Sequence, residues 1–227
     1  MSAPGVRSGP SGRSTASGHT DRPFYVLLGP DGAGKSSVMA EVAARLPGWR
    51  MLSTDDAFIG RGHELVGALR RQVVEDVLPN LGTSYSVDFL AGVLQTAVVH
   101  LRDQVERQDE DVPLLMDSYY YKILAKCRLA GIEQNPMYTW WRSFPQPRAV
   151  VYLDVSAASA SRRSAEGARP NPLEYYGERP ERLGFDSYRK SLRKLMLEEV
   201  RDVPVTLIEE LPGVAGTADA VLEVLTP

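Results

Sequence analysis

Residues 24 to 42 read "FYVLLGPDGAGKSSVMAEV": an apolar run, a glycine-rich loop, then Lys35-Ser36 and a helical pattern. The loop from Gly29 to Ser36 fits G-x-x-x-x-G-K-[ST] in full. Glycines let such a backbone turn and aim N–H groups at phosphate oxygens. The helix that follows adds free N–H groups and a positive dipole end. Lys35 supplies a mobile cation for β and γ phosphates, and Ser36 offers a hydroxyl to Mg²⁺. The phosphate contacts are therefore expected over Gly29, Asp31, Gly32, Ala33, Gly34, Lys35, Ser36 and Ser37. A chance glycine-rich turn is the bland alternative, and the strand before and helix after the loop argue against it.

Acidic residues fall where a phosphate acceptor would lie. Asp31 sits inside the loop, where a carboxylate beside phosphates costs free energy unless it has a partner. It can accept from a substrate hydroxyl or cap a local turn. Asp55 and Asp56 follow the second apolar run, at the strand end that faces the ligand crevice of open α/β sheets. A carboxylate there can act as general base, or simply cap the next helix. Of the two, Asp55 is nearer the strand and is preferred. Asp117 ends the third run, "PLLMD", where a second carboxylate near Mg²⁺ is expected, directly or through water. Ser118, Tyr119 and Lys122 follow at once and are expected to edge the same crevice. Arg162, Arg163, Arg169, Arg179 and Arg182 lie in a Gly- and Pro-flanked segment that reads as a lid. Closure of Arg163 and Arg169 over the transferring group would neutralise its charge; a solvated loop is the alternative.

These residues need a scaffold, and the hydrophobic pattern provides one. The runs 24–29, 50–54, 113–117, 149–155 and 203–209 read as strands, most of them continuous, as in a parallel sheet covered on both faces. Helical patterns lie between them, over 36–46, 63–78, 86–108, 187–201 and 217–225, with Pro79-Asn80 and Gly82 breaking the second. Strand alternating with helix predicts an α/β layered fold with right-handed crossovers.

Composition bounds the rest. The 227 residues suffice for one domain with a real core. A net charge of −3 gives no sign of a nucleic-acid or membrane surface. No apolar segment approaches the roughly 18 residues needed to span a bilayer. The single cysteine, Cys127, excludes an internal disulfide and fits a reducing, cytoplasmic setting. It falls in a helical pattern and reads as packing. Residues 1–21, rich in Gly, Ser, Pro and Thr, are expected to be a disordered tail before a domain over 22–227. His63 and His100 read as solvated or partly buried, Trp140-Trp141 and Tyr119 to Tyr121 as core or as a base-pocket wall, and Asp154 as structural.

Taken together, the motifs resemble the thymidylate kinase family and its neighbours, the deoxynucleoside kinases, over roughly 24–210. "GPDGAGKSS" resembles the thymidylate kinase loop, whose Asp at the position of Asp31 meets the sugar 3′-hydroxyl. "VVYLDVSAASASRR" resembles the strand before the lid, and "GFDSYRKSLRKL" the helix after it. The resemblance implies a P-loop kinase fold, a five-stranded parallel sheet in the order 2-3-1-4-5 with an arginine-containing lid over about 162–184. It also implies ATP with Mg²⁺ as donor and a homodimer.

The acceptor side departs from that family. Its Asp-Arg-Tyr is here Asp117-Ser118-Tyr119, so the arginine for the acceptor's phosphate is missing; Arg70 or Arg71 can replace it from another helix. The Asp-Arg pair serving thymine has no clear match. Gln95 stands near where deoxynucleoside kinases carry a base-reading Gln, and Asp55 where they carry a general base. The expected activity is transfer of the ATP γ-phosphoryl group to a nucleoside monophosphate such as dTMP. A hydroxyl acceptor, a deoxynucleoside or similar small molecule with Asp55 as base, is the alternative, and a nucleotide-binding regulatory ATPase is a third reading. Lys35, Asp55, Asp117, Arg163 and Arg169 would carry the chemistry. Asp31, Asp55, Gln95 and Tyr119 would contact the acceptor, and Ser36 with Asp117 the metal.

Overall fold

The computed structural model describes residues 24–226, apart from 56, 61, 110, 157 and 161–181, with the backbone alone at Arg182. The tail expected over 1–21 lies outside the described residues. So does most of the expected lid, while 182–184 open a helix.

The strands are β1 (Phe24–Leu28), β2 (Arg50–Leu52), β3 (Leu114–Asp117), β4 (Ala149–Asp154) and β5 (Val205–Glu209). They form one parallel sheet in the order β2-β3-β1-β4-β5, the order that the family resemblance implied. The helices are α1 (Lys35–Arg45), α2 (Glu64–Gln72), α3 (Val87–Glu106), α4 (Tyr121–Leu129), α5 (Pro136–Arg142), α6 (Arg182–Glu199) and α7 (Gly213–Leu225). A π-helical turn, Val73–Val77, prolongs α2 up to Pro79. Proline there lacks the N–H needed to continue the helix.

Strand β1 explains why continuous apolar runs mark central strands. All five residues are buried, but successive side chains point to opposite faces. Phe24, Val26 and Leu28 enter the cluster that holds α3, α4, α5 and α6, with Tyr188, Leu192 and Met196 contributed by α6. Tyr25 and Leu27 enter the other cluster, with Val38, Met39 and Val42 of α1 and Ala218, Val221 and Leu225 of α7. Strand β5 departs from that pattern: Thr206, Leu207 and Glu209 are exposed and only Ile208 is buried. It is an edge strand, so β-branched and apolar content alone does not mark burial on both faces.

Register carries the fold to the site. Leu27 of β1 pairs with Asp117 of β3, and Leu28 with Tyr152 of β4. The end of β1, where the loop begins, therefore lies between the carboxyl ends of β3 and β4.

Candidate active site

Gly29 leaves β1 against β4. A Cβ at this position would come within 2.9 Å of the Leu153 carbonyl oxygen, so a side chain would displace the loop. Gly32 and Gly34 have φ of 74° and 85°, the left-handed region that L side chains rarely adopt. Gly34 caps α1, and the first turn closes from Val38 N–H to the Gly34 carbonyl at 3.0 Å. The amides of Lys35, Ser36 and Ser37 are then the N-terminal donors of the helix. Both serines are exposed, whereas Lys35 is buried. Its amine folds back over the loop and donates to the carbonyls of Gly29 (3.1 Å) and Pro30 (2.9 Å). Burial first, and then the nearby Lys122 ammonium, push the Lys35 amine down to about 8, although Asp117 and Asp31 oppose the shift.

Two carboxylates from neighbouring strand ends flank the start of α1. Ser36 Oγ donates to Asp55 Oδ2 at 3.5 Å. Asp55 also caps a turn, its Oδ1 accepting from Ala57 N–H at 3.2 Å, and Arg70 of α2 lies 3.7 Å from its Oδ2. Asp55 thus caps the turn through Oδ1, while its Oδ2 faces Ser36 and Arg70. Asp117 accepts from Ser53 Oγ at 3.3 Å and from Ser118 Oγ at 2.6 Å. Ser53 itself accepts from the Asp55 N–H at 3.1 Å. Buried Ser53 therefore fixes both acidic residues, and nothing in the sequence marked it.

Asp31 turns toward α4. Lys122 Nζ lies 3.1 Å from its Oδ1 and Lys126 Nζ 2.6 Å from its Oδ2. Arg189 of α6 donates to the Asp31 carbonyl at 3.0 Å. Burial alone would raise the Asp31 pKa, but the charges of Lys122, Lys126 and Lys35 outweigh it and hold the carboxyl well below the usual range. For Lys122, burial acts downward and Asp31 with Asp117 more than restores it, so its pKa is raised. The sequence reading singled out Lys122 but neither Lys126 nor Arg189. The i, i+4 spacing of the two lysines was the signal available.

The backbone after Asp117 is strained. Ser118 and Tyr119 have φ of 60° and 45°, unusual for a non-glycine residue and most of all for an aromatic one. Packing holds Tyr119 there: its ring meets Phe24 edge-on at 5.8 Å and it is 1% exposed. Of the two readings of Tyr119, crevice edge and core, its burial matches the core. Trp141 is likewise core, while Trp140 is partly exposed. Asp154 holds Arg193 of α6 through both carboxylate oxygens, a structural pair as expected. His63 and His100 meet edge to face with centroids 4.7 Å apart. Gln95 is half-buried on α3. Arg163 and Arg169 lie outside the described residues.

Among the described residues no group of three or more His, Cys, Asp or Glu is placed to hold a metal. The donors near the loop are a hydroxyl and two carboxylates, which suits Mg²⁺, an ion that keeps waters and takes substrate phosphates as ligands. Among the described residues, no helix is long and apolar enough to cross a membrane.

No family model and no curated protein matches the chain. Solved structures do. Deoxyadenosine kinase from M. mycoides with bound dATP superposes with a TM-score of 0.59 at 17% identity, covering 90% of this chain and 100% of that one. The same enzyme with products dCMP and a flexible dCDP gives 0.59 at 15%, over 89% and 98%. Thymidylate kinase from Candida albicans gives 0.61 at 13%, over 90% and 91%. At such identities the likeness establishes the fold, that of the P-loop nucleoside and nucleotide kinases.

Proposed function

We propose that this chain is an ATP-dependent phosphotransferase that uses Mg²⁺ and passes the γ-phosphoryl group to a nucleoside monophosphate such as dTMP. The observation that carries this reading is the convergence of Ser36, Asp55 and Asp117 at the mouth of the phosphate loop, with Ser53 joining the two acids. The fold neighbours named above are kinases of nucleosides or nucleotides and support the same reading.

In this scheme the loop amides and Lys35 hold the donor's phosphates. Ser36 and Asp117 would hold Mg²⁺, which would supply charge neutralisation to the donor's phosphates. Lys35 leaves the carbonyls of Gly29 and Pro30 for phosphate oxygens. Gln95 is assigned to the acceptor's base, and Arg163 and Arg169 to the transition-state charge. A cytoplasmic setting and a homodimer belong to the same reading.

The contact of Asp55 with Ser36 favours a second reading, a hydroxyl acceptor deprotonated by Asp55. ADP release from ATP–Mg²⁺ against matched nucleosides and monophosphates separates the two. Turnover confined to monophosphates is the expected result. Turnover confined to hydroxyl acceptors would replace the first reading by the second. ATP consumption at the same rate without any acceptor would overturn both in favour of a regulatory ATPase.

A further inference from the structure

Asp55 is anchored through both of its backbone groups and one carboxylate oxygen. Its N–H donates to Ser53 Oγ at 3.1 Å, and its carbonyl accepts from the Phe58 and Ile59 N–H groups at 2.9 and 3.1 Å. Its Oδ1 accepts from Ala57 N–H at 3.2 Å. These four bonds fix the carboxylate. They leave Oδ2 turned toward Ser36 Oγ at 3.5 Å and toward Arg70 at 3.7 Å.

A general base would aim that oxygen at the acceptor. Here it faces the hydroxyl assigned to the metal. The 3.5 Å separation is long for a hydroxyl–carboxylate hydrogen bond. It suits two oxygens that share a small cation, because neighbouring ligands of octahedral Mg²⁺, each about 2.1 Å from the ion, lie about 3 Å apart. Such ions are commonly held by one or two carboxylates together with substrate phosphates. Asp117 is differently placed: both its oxygens accept from hydroxyls, of Ser53 at 3.3 Å and of Ser118 at 2.6 Å. It is set to act through the ion's waters. Arg70 already marks Asp55 Oδ2 as a cation position. Its side chain is 46% exposed, so the pair is weak and opens readily into solvent.

We propose that Asp55 Oδ2 is a direct ligand of the donor's Mg²⁺ beside Ser36 Oγ, and that Arg70 is the cation this oxygen holds until the metal displaces it. The inference rests on the phosphotransferase reading and narrows it. A carboxylate bound to a divalent cation is a poor base, because the ion's charge opposes protonation. The acceptor is then one that needs no base, a phosphate rather than a hydroxyl.

Calorimetric titration of the full chain with AMP-PNP, a non-hydrolysable ATP analogue, tests it in EDTA and again with Mn²⁺ as the probe ion. The wild type is expected to bind AMP-PNP about tenfold or more tightly with Mn²⁺ than in EDTA. Asp55→Asn keeps an acceptor for the Ala57 N–H but removes the charge. It should weaken binding with Mn²⁺ about tenfold, whereas binding in EDTA should hold or tighten, since a negative charge beside the phosphates is gone. Mn²⁺ in that variant should also gain a water ligand, read as extra broadening of its EPR lines in ¹⁷O-enriched water. Arg70→Gln removes the competing cation and should raise the ratio of the two affinities about threefold, an effect that vanishes once Asp55→Asn is present. The Arg70 variant leaves the turn at Asp55 intact, so it tests the inference even where Asp55→Asn fails to fold. Unchanged Mn²⁺ dependence or an unchanged water count in Asp55→Asn would overturn the inference alone, as would an unchanged ratio in Arg70→Gln. No AMP-PNP binding in either medium would strike the phosphotransferase reading and the inference with it.

Discussion

Ser53 Oγ donates to Asp117 Oδ2 at 3.3 Å and so ties the end of β2 to the end of β3 across 64 positions of sequence. Ser53 is 2% exposed, and its hydroxyl also receives the Asp55 N–H. Ser53→Ala removes both bonds and leaves the Asp55 amide without its partner. The expected outcome is a kcat about tenfold lower, a higher Mg²⁺ requirement and about 1–2 kcal/mol of lost stability. Steady-state kinetics over a Mg²⁺ series, with urea unfolding alongside, check it. An unchanged Mg²⁺ dependence would remove Ser53 from the positioning of Asp117.

Asp55→Asn discriminates the two acceptor readings by magnitude. A general base contributes roughly 10²–10⁴ in rate. With a monophosphate acceptor, already anionic, the loss in kcat should stay below about tenfold, because only the contacts to Ser36 and Arg70 change. A loss of about a thousandfold would assign Asp55 as base and the acceptor as a hydroxyl.

Lys35 sets a pH dependence. Its amine is pushed from 10.5 down to about 8, so the protein without nucleotide carries this charge below pH 8 and loses it above. ATP binding restores the proton. ATP affinity should therefore be level below about pH 7 and fall as pH rises through 8, by at most about tenfold per pH unit. Titrations in buffers of different ionisation enthalpy should show proton uptake at pH 8. The stability effect has the opposite sign: between the folded value of about 8 and the unfolded 10.5 the unfolded chain binds more protons, so this group's contribution rises with pH there.

Glu199 anchors the helical layer above the sheet. Its side chain is 5% exposed and accepts from Arg142 at 2.9 and 2.7 Å and from Arg128 at 3.2 Å. It thus joins α6 to α5 and α4. Glu199→Gln leaves two guanidinium groups facing a neutral amide. About 2–3 kcal/mol of stability should be lost in chemical denaturation, with AMP-PNP affinity unchanged. A shifted affinity would mean that α4 and its lysines move with this anchor.

The loop and the strands were legible in the sequence because they depend on local chemistry, whereas the strand order was implied by the family resemblance. Gly29, Gly32 and Gly34 answer to backbone conformation and close approach, and Lys35-Ser36 to phosphate and metal. Continuous apolar runs answer to burial between two helical layers, which is why β1 was read correctly. Strand β5 also forms where expected, but its Leu207 is exposed, since composition does not record which neighbours a strand has.

The site beyond the loop depended on distance in sequence. The carboxylates Asp31, Asp55 and Asp117 were readable as candidates by their places at strand ends and in the loop. Their partners were not. Ser53 looks like any strand-end serine, Lys126 like any helical lysine, and Tyr119 like a crevice residue until its φ of 45° turns it into the core. A residue's type and its neighbours in sequence determine what chemistry it can offer. Only the parallel register, which sets Leu27 beside Asp117 and brings α4 against the loop, decided which groups share a charge or a hydrogen bond, because those interactions act over a few ångströms of space.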